Sequence, residues 1–188
     1  ALSKGSLEDV LINLRNQGYE TIGPLIRDGA VVYGPLSSMQ DLPRGYTSQQ
    51  DAGYYRLIQT GEEDFFSLTP GPHTWKQFLF PSRSDIAMFR RDTRNPERWS
   101  AETRQVRPPA YAFIGVRPCE LAAIHIQDRI FLRDDIKDPI YRSQRERAFI
   151  LAVNCVSPAA TCFCASMGNG PTANEGYDLL FTELEDVF

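Results

Sequence analysis

All four cysteines of this 188-residue chain lie in its C-terminal part, in loops that follow strand-like apolar runs. They are Cys119, Cys155, Cys162 and Cys164. An α/β protein usually places its ligand-binding residues in the loops at the carboxyl edge of its sheet. A fold that brings these loops together would gather four thiolates. That number is required by one tetrahedral metal ion or by one cubane iron–sulfur cluster.

Residues 110–188 carry the pattern of a βαβ unit. Residues 111–116 and 149–153 are continuous apolar runs, which is typical of strands buried on both faces. Between the two runs, apolar residues of 120–132 recur at near-helical spacing, and a third apolar run follows at 177–184. The pattern predicts a largely parallel sheet whose strands end at the same edge, so the cysteine-bearing loops are expected to meet.

Residues 1–109 predict a more antiparallel part of the same domain. A helix is expected to begin with Ser6 as its N-cap and to end at Gly18, and the turn at Asp28-Gly29 predicts a hairpin. The predicted fold class is therefore α/β, with a mixed sheet that is antiparallel-rich at 1–109 and parallel at 110–188. Three further expectations are antiparallel pairing of 55–58 with 65–68, a short helix at 84–89 and a polar connection at 90–109.

Charge and hydropathy exclude several classes of function. The net charge is −4, and the one cluster of arginines, at 90–98, has acidic neighbours, so nucleic-acid binding is not expected. No apolar run approaches the roughly 20 residues of a membrane span. The chain has no signal peptide, although its start at Ala1 leaves a processed start open. Four cysteines without a secretory signal predict a cytoplasmic, reducing compartment.

The spacing of Cys162 and Cys164 favours an iron–sulfur cluster over a single zinc ion. In extended backbone their α-carbons would lie roughly 6.6 Å apart with the side chains on the same side. That separation suits two corners of a cubane, whereas short zinc motifs usually leave two to four residues between ligands. Zinc, disulfides and a catalytic thiol remain alternatives. A disulfide across Phe163 would be strained, and His125 is predicted to face away from Cys119.

Several neighbours of the cysteines fit a cluster as well. Gly168, like Gly115 and Gly170, would let the backbone approach closely and donate amide hydrogens to sulfur. Arg117 and Asn154 are candidate donors that would raise the potential of a cluster, with a salt bridge or a turn contact as the alternative for each.

Several motifs of the chain resemble the beta subunits of soluble sulfhydrogenases and the iron–sulfur A subunit of anaerobic sulfite reductase. The motifs that carry the resemblance are Gly115–Leu121, Asp128–Leu132, Val153–Cys155 and Cys162–Gly168, with Leu42–Tyr46, Asp51–Leu57 and Gly71–Lys76 nearer the N-terminus. The resemblance covers most of the chain, and the cysteine motifs are its specific part.

The resemblance implies one [4Fe-4S] cluster, bound by the four cysteines, in a subunit that relays electrons. The implied partners are a C-terminal ferredoxin-like domain of the same protein, a flavin- or NAD(P)-binding subunit and a catalytic metal subunit. The chain reaches Phe188 without a Cys-x-x-Cys-x-x-Cys run, so we expect it to be the N-terminal portion of a longer protein. His73 and Trp75 match a family motif without a known role, and Trp75 is expected to pack in the core.

The predicted function is electron transfer within a hydrogenase- or sulfite-reductase-type oxidoreductase complex, with no catalytic residue in this chain. A zinc-stabilised docking or regulatory module is the first alternative. A ligand-binding domain with redox-silent thiols, using the crevice between the βα loops, is the second.

Overall fold

The computed structural model describes residues 1–85, 87–103 and 109–188. The helices in these ranges are α1 (Ser6–Asn16), α2 (Lys76–Leu79), α3 (Pro118–Phe131) and α4 (Pro139–Arg145), with short 3-10 turns at Met39–Asp41 and Ala165–Met167. The strands are β1 (Tyr19–Arg27), β2 (Ala30–Pro35), β3 (Tyr46–Asp51), β4 (Tyr54–Gln59), β5 (Ala87–Arg91), β6 (Trp99–Thr103), β7 (Ala110–Val116), β8 (Phe149–Val153) and β9 (Leu179–Phe181).

A five-stranded mixed sheet in the order β2-β1-β7-β8-β9 forms the centre of the fold. Strands β1, β7, β8 and β9 run parallel, and β2 pairs antiparallel with β1 at the edge. The βαβ prediction is therefore confirmed, and so is the mixed α/β fold class. Because β1 pairs with β7, the N-terminal part contributes two strands to the same sheet as the cysteine-bearing part.

Both faces of the sheet are covered, as the continuous apolar runs predict. On one face, the buried leucines of α1 pack with Ala112, Ile114, Leu151 and Val153. On the other face, Phe113, Ile150 and Ala152 pack with α2, α3 and α4, and the irregularity at Gly115 brings Val116 to this face as well. Successive residues of a strand point to opposite faces of the sheet. Because both faces are covered, every residue of β8 after the first is buried.

The first helix and hairpin lie where the sequence predicts them, with different details. Gly5 takes the N-cap position of α1, and Ser6 is the first helical residue. The hairpin turns at Asp28-Gly29, but its first strand is the nine-residue β1 rather than a short arm. Strand β1 is long because it pairs on both sides, with β2 and with β7.

Two other local predictions were wrong. Residues 54–59 pair with 46–51 across the turn at Gly53, and Phe65 and Phe66 lie buried in the core instead of in a partner strand. The expected helix at 84–89 is replaced by β5, which pairs with β6 in a separate two-stranded ribbon inside the expected polar connection. Ile86 and residues 104–108 of these segments lie outside the described residues.

None of the helices in the described ranges is long and apolar enough to cross a membrane.

Candidate metal centre

The four cysteines lie at the carboxyl edge of the sheet, one at the start of α3 and three in the long loop between β8 and β9. Cys119 is the second residue of α3, directly after the loop that follows β7. Cys155 is two residues beyond β8, and Cys162 and Cys164 lie in the same long loop before β9. Because β7 and β8 are adjacent and parallel, the loops after them start side by side.

Three of the cysteines line one cavity of about 340 Å³: Cys119, Cys162 and Cys164. Ala122, Ala123 and Ile126 of α3 form one wall of this cavity, and Gln50, Thr69 and Pro70 form another. The backbone N–H of Cys155 donates to the carbonyl of Pro171 at 2.8 Å. This hydrogen bond fastens the beginning of the long loop to its end.

The thiols do not form a ready-made site for a single ion. Within residues 1–85, 87–103 and 109–188, no group of three or more His, Cys, Asp or Glu side chains is placed to hold a metal ion. Tetrahedral zinc with bonds near 2.3 Å would bring its sulfurs to about 3.8 Å from one another. A cubane binds its cysteines at four separate iron atoms and needs them farther apart. Three of the four free cysteines line the cavity, and thiolate is the ligand type that zinc and iron–sulfur clusters both take.

The Cys119 thiol is protonated at neutral pH. Burial is the largest cause that raises its pKa, to about 12, and the nearby acidic groups Glu120, Cys164 and Cys155 raise it further. A metal that binds this sulfur must displace its proton, so binding would release acid. A catalytic thiol needs a lowered pKa, so the structure argues against Cys119 as a nucleophile.

Cys162 has a backbone donor directed at its sulfur. The Ala159 N–H donates to Cys162 Sγ at 3.3 Å, and the Cys162 N–H donates back to the Ala159 carbonyl at 3.1 Å. The tight turn fixes the sulfur relative to its own loop. A donor of this kind stabilises a thiolate and is a common feature around iron–sulfur clusters.

Arg117 and Asn154 connect the cysteine loops to each other. The Arg117 guanidinium, in a residue only 5% exposed, donates to the carbonyls of Leu68 at 2.8 Å and Asn154 at 3.1 Å. The Asn154 side chain donates to Thr182 Oγ1 at 2.7 Å and accepts from the Ala173 N–H at 3.0 Å. These bonds go to oxygen atoms or come from a backbone N–H group, whereas the sequence predicts donors to sulfur. Here the two residues hold loops in place.

The glycines near the cysteines serve the backbone itself. Gly168 has φ +69° and ends the 3-10 turn after Cys164, and a Cβ there would meet open space. Gly115 has φ +85° at the irregularity in the pairing of β7 with β8, where a Cβ would overlap the ring of Phe66. Glycine is required at both positions for conformation, and at Gly115 also for packing.

Glu120 is a buried carboxyl group beside Cys119, and it is not among the site residues predicted from the sequence. Burial is the main reason its pKa is raised. Its carboxylate accepts from the Arg117 N–H at 2.9 Å and from the hydroxyl of Tyr33, whose ring stacks on buried Trp75. Its position three residues after the N-cap of α3, where a glutamate often caps the helix, was the available signal.

The two histidines lie away from the cysteine cavity. His125 lines an adjoining cavity of about 620 Å³, together with Asn169 and Glu175. His73 is exposed in the loop before α2. Neither residue is among those that line the cavity of the three thiols.

Comparisons with protein-family models, with curated proteins and with solved structures found no match to this chain.

Proposed function

We propose that this chain is an electron-transfer domain that binds one [4Fe-4S] cluster through Cys119, Cys155, Cys162 and Cys164. The observation that carries the proposal is a cavity lined by three of these thiols, with the fourth at the start of the loop that carries two of them. When bound, such a cluster supplies reversible one-electron transfer. The chain's own contribution is to supply thiolates, to place the apolar side chains of α3 beside them and to hold the long cysteine loop against the start of α3.

The charge near the cavity also supports a redox role. Arg117 places a buried cation next to Cys119, and the Ala159 amide donates to Cys162 Sγ. Positive charge and N–H donors near sulfur stabilise the reduced, more negative state of a cluster. Buried Glu120 acts in the opposite direction when it is ionised, and burial raises its pKa.

The partners are part of the proposal. Phe163, 67% exposed, and Met167, 55% exposed, lie at the cysteine cavity and present apolar side chains to solvent. A relay centre needs a donor and an acceptor within reach, and an exposed apolar surface is typical of a docking site. The resemblance names a ferredoxin-like domain, a flavin- or NAD(P)-binding subunit and a catalytic metal subunit as the proteins to test. With hydrogen or NAD(P)H as donor, we expect dye reduction only when these partners are added.

The decisive experiment is anaerobic reconstitution with iron and sulfide. We expect about four iron and four sulfide per chain, a broad visible absorption and a paramagnetic signal on reduction. Cys162→Ser should lose the cluster and loosen the loop from Cys155 to Pro171, because the cluster no longer ties this loop to Cys119, while β7 and β8 persist. Ser166→Ala, in the same loop, is the matched control and should retain iron.

Each alternative outcome has a defined meaning. Tight binding of one zinc ion with no uptake of iron and sulfide would favour the zinc-stabilised docking module. Unchanged iron content in Cys162→Ser would remove this residue from the ligand set. Dye reduction by the chain alone would make it an enzyme and would contradict the relay.

A further inference from the structure

A chain of hydrogen bonds connects the hairpin β3–β4 to the loop that carries Cys162. The Thr161 hydroxyl donates to Gln50 Oε1 at 2.7 Å, and Gln50 Nε2 donates to Thr69 Oγ1 at 2.6 Å. Ser48, two residues earlier on the same strand, also hydrogen bonds to Thr69. Gln50, Thr69 and Thr161 line the same cavity as the thiols, so these bonds lie in the wall of the candidate centre.

The cysteine loop depends on such contacts because it has little regular structure. Between the end of β8 and the 3-10 turn at Ala165–Met167, the loop forms no helix or strand. The Ala159–Cys162 turn shapes it internally, but that turn does not fix its distance from α3. Thr161, adjacent to Cys162, is the point at which Gln50 holds the loop from outside.

The hairpin in turn stands apart from the central sheet. Strands β3 and β4 form a two-stranded ribbon of their own. An isolated two-stranded ribbon is marginally stable in water, so its position depends on the contacts it makes with the rest of the molecule. Backbone bonds of Gly45 with Asp64 and Thr60 fasten the base of the ribbon, and the contacts of Gln50 lie near its other end.

We propose that Gln50 is a positioning residue for the iron–sulfur centre, and that the β3–β4 hairpin clamps the Cys162–Cys164 loop at the distance from Cys119 that a cluster requires. This inference rests on the proposed function. It adds that the last ligands are positioned by a segment distant in sequence, through an amide that hydrogen bonds to Thr161 and Thr69.

Three variants test the clamp. Gln50→Leu keeps a side chain of similar size but removes the hydrogen bonds to Thr161 and Thr69. Gln50→Glu retains an acceptor for the hydroxyls of these two residues. Gln49→Leu is the matched control, since Gln49 is the exposed neighbour whose side chain projects from the opposite face of β3. All three variants and the wild type are reconstituted anaerobically, and the rate of iron loss to a chelator is measured along with the paramagnetic signal of the reduced cluster.

We expect Gln50→Leu to lose iron about tenfold faster than the wild type, the equivalent of about 1.4 kcal/mol, and to show an altered or heterogeneous signal. Gln50→Glu should restore most of the retention, and Gln49→Leu should match the wild type. The proposal is contradicted if Gln50→Leu loses iron at the wild-type rate with a wild-type signal. It is also contradicted if Gln49→Leu is impaired as much as Gln50→Leu.

A measurement without metal separates this inference from the proposed function. In the metal-free chain, amide hydrogen exchange of residues 159–164 should be about fivefold to tenfold faster in Gln50→Leu than in the wild type, with the central strands unchanged. If the wild type takes up no iron, the cluster proposal fails, and faster exchange confined to 159–164 would still show that Gln50 holds the loop. Unchanged exchange would refute the clamp whether or not iron binds.

Discussion

Replacing Arg117 with methionine should cost far more stability than the loss of a typical arginine. The guanidinium is buried and donates to the carbonyls of Leu68 and Asn154. A hydrogen bond with a charged partner contributes about 1.5–3 kcal/mol, so two such bonds set an upper range of about 3–6 kcal/mol. Methionine keeps part of the apolar packing, and we expect the free energy of unfolding to fall by about 3–4 kcal/mol.

Urea unfolding of the metal-free chain in reducing buffer measures this loss without a contribution from metal binding. With a slope of about 2–3 kcal/mol per molar urea, the midpoint should fall by about 1–2 M. Arg133→Met is the control, because Arg133 is exposed and pairs with Asp135 on the surface, where an ion pair contributes little. If both variants shift the midpoint equally, Arg117 does not hold the two loops together and the reasoning is refuted.

Two other perturbations have expected outcomes. Burial alone would raise the pKa of Asp64, but its hydrogen bonds and ion pair, mainly with Lys4, lower it below 3.8. The carboxylate therefore stabilises the fold above pH 3.8, and this stabilisation is lost as pH falls through the lower folded-state pKa. Urea midpoints should place Asp64→Asn below the wild type near about pH 6, with the gap closing towards about pH 3; a constant gap would contradict this. Gly115→Ala should lower the free energy of unfolding by about 2 kcal/mol or more, because it combines a positive φ with overlap of the new Cβ and the Phe66 ring. Gly53 also has a positive φ but faces open space, so Gly53→Ala should lower it by only about 1 kcal/mol. If thermal unfolding shows that both variants lose the same free energy of unfolding, overlap with Phe66 does not explain the loss at Gly115.

Sequence patterns predicted the elements whose signal is local. The apolar runs that became β7 and β8 are buried on both faces, and such runs have few other stable arrangements than a covered parallel sheet. The position of Cys119 and Cys155 after these strands follows from chain order alone. For the same reason, the sequence correctly indicated which loops lie side by side.

The prediction of strand pairing was wrong for a strand that had two candidate partners. Residues 54–59 have a candidate partner on each side, the polar segment 46–51 and the more apolar segment 65–68. The pairing depends on whether Phe65 and Phe66 join a strand or enter the core. Their backbone N–H groups donate to the carboxylate of buried Glu183 at 2.8 and 2.7 Å, so this segment enters the core without joining a strand. Glu183 lies near the opposite end of the chain, and no local pattern connects it with these residues.

The sequence by itself determined that four thiols follow parallel, buried strands, because hydrophobic periodicity and chain order are properties of short segments. Only the tertiary structure decided what surrounds those thiols. Three of these features join segments far apart in the chain: the burial that raises the pKa of Cys119, the hydrogen bond from Arg117 to the Leu68 carbonyl, and the hydrogen bond between Thr161 and Gln50. Their energies depend on distance and on exclusion of water, and both quantities exist only after the segments have packed.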